Sequence, residues 1–400
     1  MQQRCPVKNS RWIKTSCFHA DEFRIMRSNP RIQSIGTAVP PYRISQDKHY
    51  AILESANGLS RAERLTMRRI YSKSGISWRY SILDEFDEQD HADHEVFHPA
   101  GELVTPVADR MTLFEKHAPG LCTDAAKACL KKLPLLKRNE ITHIICFSCT
   151  GMYAPGLDIQ LVEVLGLQRS TERTCINFMG CYAAINALKA AYHICRSEPE
   201  AVVLIAGAEL CSLHYQKSAE TNQMIANALF GDGAAAAIIS CRDLGNDAES
   251  LSLHTFYSEF EPAGLQDMVW RIGNAGFDLR LTPEVPEAIR ANIGELTGKL
   301  LKKAAISRAE VSHYAIHPGG TRILEACEQA MDLDQDATAI SREVLDSYGN
   351  MSSVTILFVL EKLMRKVAES SKPEWVMACA FGPGLTMESV IMQTAGNAKS

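Results

Sequence analysis

S-H-Y-A-I-H-P-G-G, residues 312–320, repeats in divergent form T-H-I-I-C-F-S-C-T-G, residues 142–151. Each opens on a small hydroxyl residue and a histidine, runs through a short apolar segment of strand type, and ends on glycine. About 37–38 residues after each opening histidine stand Cys181 and Asn350, each preceded by a glycine and followed by a helical pattern. Both copies then reach a Phe-Gly-x-Gly turn: F-G-D-G-A-A-A-A-I-I at 230–239 and F-G-P-G-L-T-M-E-S-V-I-M at 381–392. A strand is expected after each turn. Three landmarks in one order point to a duplication. Two similar halves packed face to face bring equivalent positions together near a pseudo-twofold axis. Cys181 and Asn350 would then approach each other. His317 ends the strand that corresponds to 142–149, close to the same axis.

Outward from the repeat, apolar runs predict strands at 31–37, 142–149, 202–208, 233–240, 311–317, 374–380 and 386–393. Helical periodicity predicts helices at 60–73, 109–132, 157–166, 181–196, 284–304, 320–331 and 351–368. Short buried strands between amphipathic helices mean α/β architecture. Residues 1–30 read as a loosely ordered basic extension, 31–245 as the half carrying Cys181, and 246–400 as the half carrying His317 and Asn350.

With 400 residues the chain can bury a sizeable core. Its 46% hydrophobic and 22% charged content are ordinary for a globular protein. A net charge of −5 argues against nucleic acid or an anionic membrane as main partner. No run approaches the ~20 apolar residues of a spanning helix, and the first thirty residues lack the apolar core of a secretory signal. The 13 cysteines are scattered through apolar segments such as I-I-C-F, not spaced as a disulfide framework. A reducing cytoplasm and mostly free thiols are expected.

In F-M-G-C-Y-A-A-I-N-A-L-K-A-A, residues 178–191, a cysteine follows glycine where a helix begins. The thiolate is the nucleophile. A helix N-terminus or a neighbouring imidazolium lowers a thiol pKa from ~8.5 toward ~3.5–7.5. Gly180 permits a tight turn, and the alanines allow burial. A lone cysteine is usually a small core residue, a lone histidine a satisfied one, and Asn350 alone an ordinary N-cap. Their matched repeat positions favour chemistry instead. His317 and Asn350 together supply two hydrogen-bond donors for a thioester oxyanion, and Cys181 supplies covalent catalysis.

The motifs G-C-Y-A (180–183), L-F-G-D-G-A-A-A (229–236), I-H-P-G-G (316–320), Y-G-N-M-S-S (348–353) and F-G-P-G-L-T (381–386) together resemble those of type III polyketide synthases. These are the chalcone synthase-like enzymes of the thiolase superfamily, and the resemblance covers about residues 31–395. It implies a thiolase-like duplicated αβαβα layered fold and a catalytic Cys181, His317 and Asn350. It implies gatekeeper phenylalanines at Phe230 and Phe277, and cavity positions at Cys149, Cys211, His214 and Ser352, with Trp270 nearby. Arg69 and Lys73 match basic residues that bind CoA phosphates. A third basic position falls on Thr66, with Arg68 and Arg64 as candidate replacements. Cys149, Cys211 and His214 stand where plant chalcone synthases carry threonines, so the chain resembles microbial members. Residues 151–157 match a loop that reaches toward a partner's cavity, with Ala154 where plant members often have methionine.

The reaction so implied is iterative. An acyl-CoA starter loads Cys181, malonyl-CoA is decarboxylated and condensed onto it, and the extended chain cyclises to a pyrone, resorcinol or related aromatic. An aliphatic starter is expected. Substrates are CoA thioesters; no metal or other cofactor is implied, and the partner is a second copy in a homodimer. A ketoacyl-acyl carrier protein synthase shares the fold and triad but typically follows its histidine with Gln-Ala-Asn, where this chain has Pro-Gly-Gly. A non-catalytic acyl-CoA-binding protein would keep the fold, but the intact triad argues against it. A Cys-His hydrolase would release free acid without consuming malonyl-CoA. Cys146 and Cys149 have C-x-x-C spacing without a second pair, so zinc is not expected, and on a strand they would face opposite sides. H-A-D-H-E-V-F-H at 91–98 reads as a solvated loop.

Overall fold

A computed structural model describes residues 29–84 and 105–396, apart from 217, 247–248 and 369. The extension at 1–28 and the histidine-rich stretch at 91–98 lie outside the described residues. The first half runs β1 (Arg31–Ala38), β2 (Tyr42–Ser45), α1 (Gln46–Asn57), α2 (Arg61–Ser72), β3 (Trp78–Ser81), α3 (Val107–Lys131), β4 (His143–Ser148), α4 (Leu157–Leu165), β5 (Glu172–Asn177), α5 (Ala183–Ser197), β6 (Val202–Leu210), α6 (Thr221–Leu229) and β7 (Asp232–Ser240). The second runs β8 (Leu251–Phe260), β9 (Met268–Gly273), β10 (Gly276–Leu281), α7 (Val285–Ala304), β11 (Val311–Ile316), α8 (Thr321–Met331), α9 (Ala339–Tyr348), α10 (Thr355–Val367), β12 (Trp375–Gly382) and β13 (Thr386–Thr394).

The duplication is visible in strand pairing. In the first half β4 lies parallel to β6, β6 antiparallel to β7, and β7 antiparallel to β1. In the second, β11 lies parallel to β12, β12 antiparallel to β13, and β13 antiparallel to β8. The two four-strand sets join through a short β1–β8 pairing into one nine-stranded sheet, with β5 added at the far edge. β4, β6 and β7 are buried along their whole length, as their unbroken apolar runs demand.

Helices α5 and α10 lie between the two half-sheets and share one core with the inner faces of both. Ala183, Ala184, Ala187 and Ala191 are fully buried there, so α5 sits close against strand backbone. On the outer face of the first half-sheet pack α3 and the apolar residues of α2. On that of the second pack α7 and α8. The order is therefore helix, sheet, helix pair, sheet, helix, which is the expected αβαβα arrangement. Cys146 falls in the outer core and Cys149 in the inner one, on opposite sides of the sheet as the alternation predicts.

Three helices (α1, α6 and α9) and six strands (β2, β3, β5, β8, β9 and β10) go beyond the sequence-based expectation. Helix α6 spans only 9 residues, too few for its periodicity to stand out. Strand β5 is polar and mostly exposed because it is an edge. Strands β9 and β10 form a separate ribbon around Gly273–Gly276.

Candidate active site

The two glycine-led turns meet where the half-sheets join. Gly180 (φ 89°) and Gly349 (φ 70°) both occupy the left-handed region, in matching positions of the repeat. At Gly180 a Cβ would also fall 2.1 Å from Pro383 Cδ, so the second Phe-Gly-x-Gly turn packs directly on the cysteine turn. Ser352 (φ 49°) and Phe178 (φ 62°) carry the same backbone strain without being glycine. Such strain concentrates at functional sites.

Cys181, His317, Asn350 and Ser352 line one cavity of about 60 Å³, together with Cys149, Cys211, Phe230 and Trp270. The repeat therefore brings its two marked positions, and the histidine, to one place. Phe230 and its repeat mate Phe381 both face the cavity. Phe230 is held in an isolated bridge to Asn350: the Asn350 N–H donates to Leu229 O (2.9 Å) and the Gly231 N–H to Asn350 O (3.0 Å). Behind it the buried Arg79 donates to Phe230 O (2.7 Å) and Asn227 O (2.9 Å), closing the C-terminal end of α6.

Asn350 can be accounted for atom by atom. Its Oδ1 accepts from the Ser352 N–H (2.9 Å) and from Thr355 Oγ1 (3.5 Å). Its Nδ2 donates to Gly319 O at 3.4 Å, which leaves its other hydrogen uncommitted. The ring of His317 is buried, and neither Nδ1 nor Nε2 has a partner among the described residues. Leaving a buried polar atom unpaired costs about 1–3 kcal/mol. Donors left open beside a cavity are suited to a ligand oxygen.

Burial pushes the Cys181 thiol up to about 12, against smaller opposing effects from the Ser352 and Asn350 side chains. The thiol donates to Ser352 Oγ at 3.7 Å. Burial also pulls His317 down to about 3. This corrects the expectation of an acidified thiol in the free protein. Regular helix starts at Ala183, two residues past the cysteine, and desolvation is the largest effect on the thiol.

Cys149 sits behind the Gly180–Cys181 turn. The Gly180 N–H donates to its Sγ (2.9 Å), and its thiol donates back to Gly180 O (3.2 Å). Glu209, fully buried at the end of β6, accepts from the Cys149 N–H (3.0 Å), Thr150 Oγ1 (2.7 Å) and the Ser353 hydroxyl. It ties the first half to the turn after Asn350, and burial raises its pKa. Sequence reasoning misses it because a lone glutamate closing a strand has no local signature.

Two expected cavity residues lie elsewhere. His214 donates from Nε2 to Thr150 O (2.7 Å) and accepts the Phe277 N–H at Nδ1 (3.1 Å). Its ring stacks on Phe277 with centroids 4.1 Å apart. Both are buried behind the wall and do not line the cavity. Phe277, Leu279 and Leu281 share one face of β10, but the cavity reaches only Leu279 and Leu281, so this wall is aliphatic. Trp270, opposite Leu279 on β9, donates from its indole to Cys149 O (2.7 Å) and pins the ribbon to the first half.

Leu281, Gly319 and Ile323 line both this cavity and an outer basin of about 270 Å³, so the two lie side by side. Arg69 and Lys73 line the basin. They stand at the end of α2, which a Ser60–Glu63 capping box starts and buried Met67 and Tyr71 anchor. Among the described residues no group of three or more His, Cys, Asp or Glu could hold a metal ion, and no helix is long and apolar enough to cross a membrane.

A cysteine, a histidine and an asparagine lining one cavity, beside a cation-rimmed basin in a duplicated layered fold, define a thiolase-like acyltransferase. Comparison with known proteins narrows this further. The sequence profiles of chalcone and stilbene synthases match residues 22–243 with their N-terminal domain and 252–396 with their C-terminal domain. The alpha-pyrone synthesis polyketide synthase-like Pks18 of Mycobacterium tuberculosis is 32% identical over 335 residues, 83% of each chain. The crystal structure of PKS-I from the brown alga Ectocarpus siliculosus superposes with a TM-score of 0.86 at 30% identity, covering 92% of this chain and 98% of that one. The C-terminal type III polyketide synthase domain of Steely1 from Dictyostelium gives 0.83 at 28%, covering 92% and 100%. The chain belongs to the chalcone and stilbene synthase family, and it is a type III polyketide synthase.

Proposed function

We propose that Cys181 carries the growing acyl chain and that His317 and Asn350 stabilise the oxyanions on either side of it. The observation that supports this best is the cavity holding all three, with a buried imidazole lacking any partner among the described residues. His317 takes the Cys181 proton as the sulfur attacks the acyl-CoA carbonyl. The pair stays neutral overall, so the proton moves without a net charge entering the cavity. The tetrahedral intermediate collapses with loss of the CoA thiol. Malonyl-CoA then enters and loses carbon dioxide. The enolate oxygen accepts hydrogen bonds from His317 and Asn350, and the enolate carbon attacks the Cys181 thioester, releasing the sulfur. Return of the lengthened chain to Cys181 begins the next round. No resident cofactor takes part. All eleven described cysteines are free, in keeping with a reducing cytoplasm.

The starter is aliphatic and the product a pyrone or resorcinol. The aliphatic wall of Met268, Leu279, Leu281 and Ile323 supports the first point. The name of the mycobacterial relative supports a pyrone. Purified protein with malonyl-CoA and a panel of acyl-CoA starters should give products longer than the starter by repeated ketide units, read by mass spectrometry. Free starter acid with malonyl-CoA untouched would leave only a hydrolase. Trp270 sets the depth of the cavity. Trp270→Ala should shift kcat/KM toward longer acyl starters by about tenfold; an unchanged starter preference would place the specificity wall elsewhere.

The protein works as a homodimer joined along β5. That strand ends the sheet, and Met152, Ile159, Val164 and Met179 beside it are exposed apolar residues. Sedimentation equilibrium should return twice the 44.2 kDa chain mass, falling to one chain in Val164→Lys. A monomeric wild type would refute this.

A further inference from the structure

Helix α2 carries a second surface that the basin does not use. From Gly58 to Leu83 there are six basic residues and one acidic one, Glu63, in a chain of net charge −5. The Glu63 carboxylate is spent on the Ser60 N–H (2.7 Å). Arg61, Arg64, Leu65 and Arg68 are all exposed, and their i, i+3, i+4, i+7 spacing puts them on one face. Leu65 in their midst is 62% exposed. Ile70 and Lys73 turn to the basin instead, and Met67 and Tyr71 to the core. Arg64 and Arg68, the expected replacements for the cation missing at Thr66, lie outside the basin lining, and their charge is felt by Tyr50 on α1. Among the described residues, none of the guanidinium groups of Arg61, Arg64 and Arg68 has an ion-pair or hydrogen-bond partner.

Two of these arginines are unfavourable where they stand. Arg61 and Arg64 occupy the first turn of α2, whose partial positive charge favours anions. Residues that break a local rule call for a compensating gain elsewhere. An apolar side chain ringed by unpaired guanidinium groups suits a partner with an acidic surface and an apolar residue at its centre. Position narrows the partner further, because α2 runs from this face to the basin beside the Cys181 cavity. A thioester reaches Cys181 on a pantetheine arm, and only the arm has to enter. The body that carries the arm stays outside, against this rim. An extended anionic membrane would repel a chain of net charge −5, whereas a small acidic domain meets only the local cations.

We propose that Arg61, Arg64, Leu65 and Arg68 dock an acidic acyl carrier protein, which delivers the starter acyl group directly to Cys181. The inference rests on the polyketide synthase reading and adds a second donor of the starter, with malonyl-CoA kept as extender. The Cys181 sulfur bonds to the acyl carbon, the bond from that carbon to the carrier's pantetheine sulfur breaks, and that sulfur leaves with the Cys181 proton. The arginines pair with carboxylates of the carrier, bidentate where the geometry allows. Leu65 is covered by an apolar side chain of the carrier. Charges at the rim of such a contact act mostly on encounter, so transfer from the carrier is salt-sensitive.

The test compares two starters, decanoyl-CoA and the decanoyl thioester of an acyl carrier protein from bacterial fatty-acid synthesis, each with malonyl-CoA as extender. Wild type should make the same products from both. The triple variant Arg61→Ala/Arg64→Ala/Arg68→Ala should lose about tenfold in kcat/KM with the carrier-bound starter and keep its kcat/KM with decanoyl-CoA. Leu65→Ala should lose on the carrier alone. Raising salt should slow wild type on the carrier more steeply than the triple variant. Wild type that extends decanoyl-CoA but not the carrier-bound group would overturn the proposal and leave the synthase reading intact. An equal loss on both starters would also overturn it, since the face would then serve the fold or CoA. So would arginine-dependent sedimentation with phosphatidylglycerol vesicles in place of transfer from the carrier, which would make the face a membrane contact. Wild type that forms no ketide product from either starter would sink the parent reading and this one with it.

Discussion

Cys181→Ala is expected to abolish polyketide formation, by at least about a thousandfold, while slow release of carbon dioxide from malonyl-CoA continues. Removing the nucleophile removes the covalent intermediate, and a residue acting as part of a unit costs most of the unit's rate when lost. The proposed enolate donors sit on other elements: His317 follows β11, and Asn350 follows the left-handed Gly349. Alanine at 181 leaves both in place. Product formation by the variant at more than a few per cent of the wild-type rate would mean that another group carries the chain. Cys149 and Cys211 share the cavity and would be the first thiols to suspect.

His317→Ala and Asn350→Ala are expected to do the reverse. Each removes one donor to the developing enolate, an effect of about 10²–10³ in rate for an oxyanion donor. Carbon dioxide release from malonyl-CoA should fall by that factor in both. The two variants should differ at the sulfur. His317→Ala should slow alkylation of Cys181 by iodoacetamide, because burial holds the thiol at about 12 and no other base lies in the lining. Asn350→Ala should slow it less, since its side chain lowers the thiol pKa only as a lesser effect. Decarboxylation that survives in both variants would remove them from the oxyanion role.

The repeat is legible in the sequence because its landmarks are local. A histidine at a strand start, a glycine before a functional residue and a Phe-Gly-x-Gly turn can each be read within about ten residues. The duplication then places Cys181 against Asn350 without any structural knowledge. The same logic reaches Phe230, and carried one step further it would reach Phe381, its mate in the second copy. Phe277 misleads because, although it shares the face of β10 that carries Leu279 and Leu281, it stands at the start of the strand beyond the end of the cavity. Its ring is spent on His214, and Leu279 takes the place at the cavity. Glu209 is beyond local reading, because it matters by joining the two halves in the core. The thiol pKa goes the other way from the expectation because sequence shows a helix start but not the depth of burial around it.

Covalent loading of Cys181 can be read by peptide mass mapping of the protein quenched during turnover with malonyl-CoA and an aliphatic acyl-CoA. A ladder of masses is expected on the peptide containing Cys181: the starter acyl group, and the same group extended by successive ketide units. Product accumulating in solution while that peptide stays unmodified would mean that Cys181 does not carry the chain. So would a ladder on a peptide containing Cys149 or Cys211 instead.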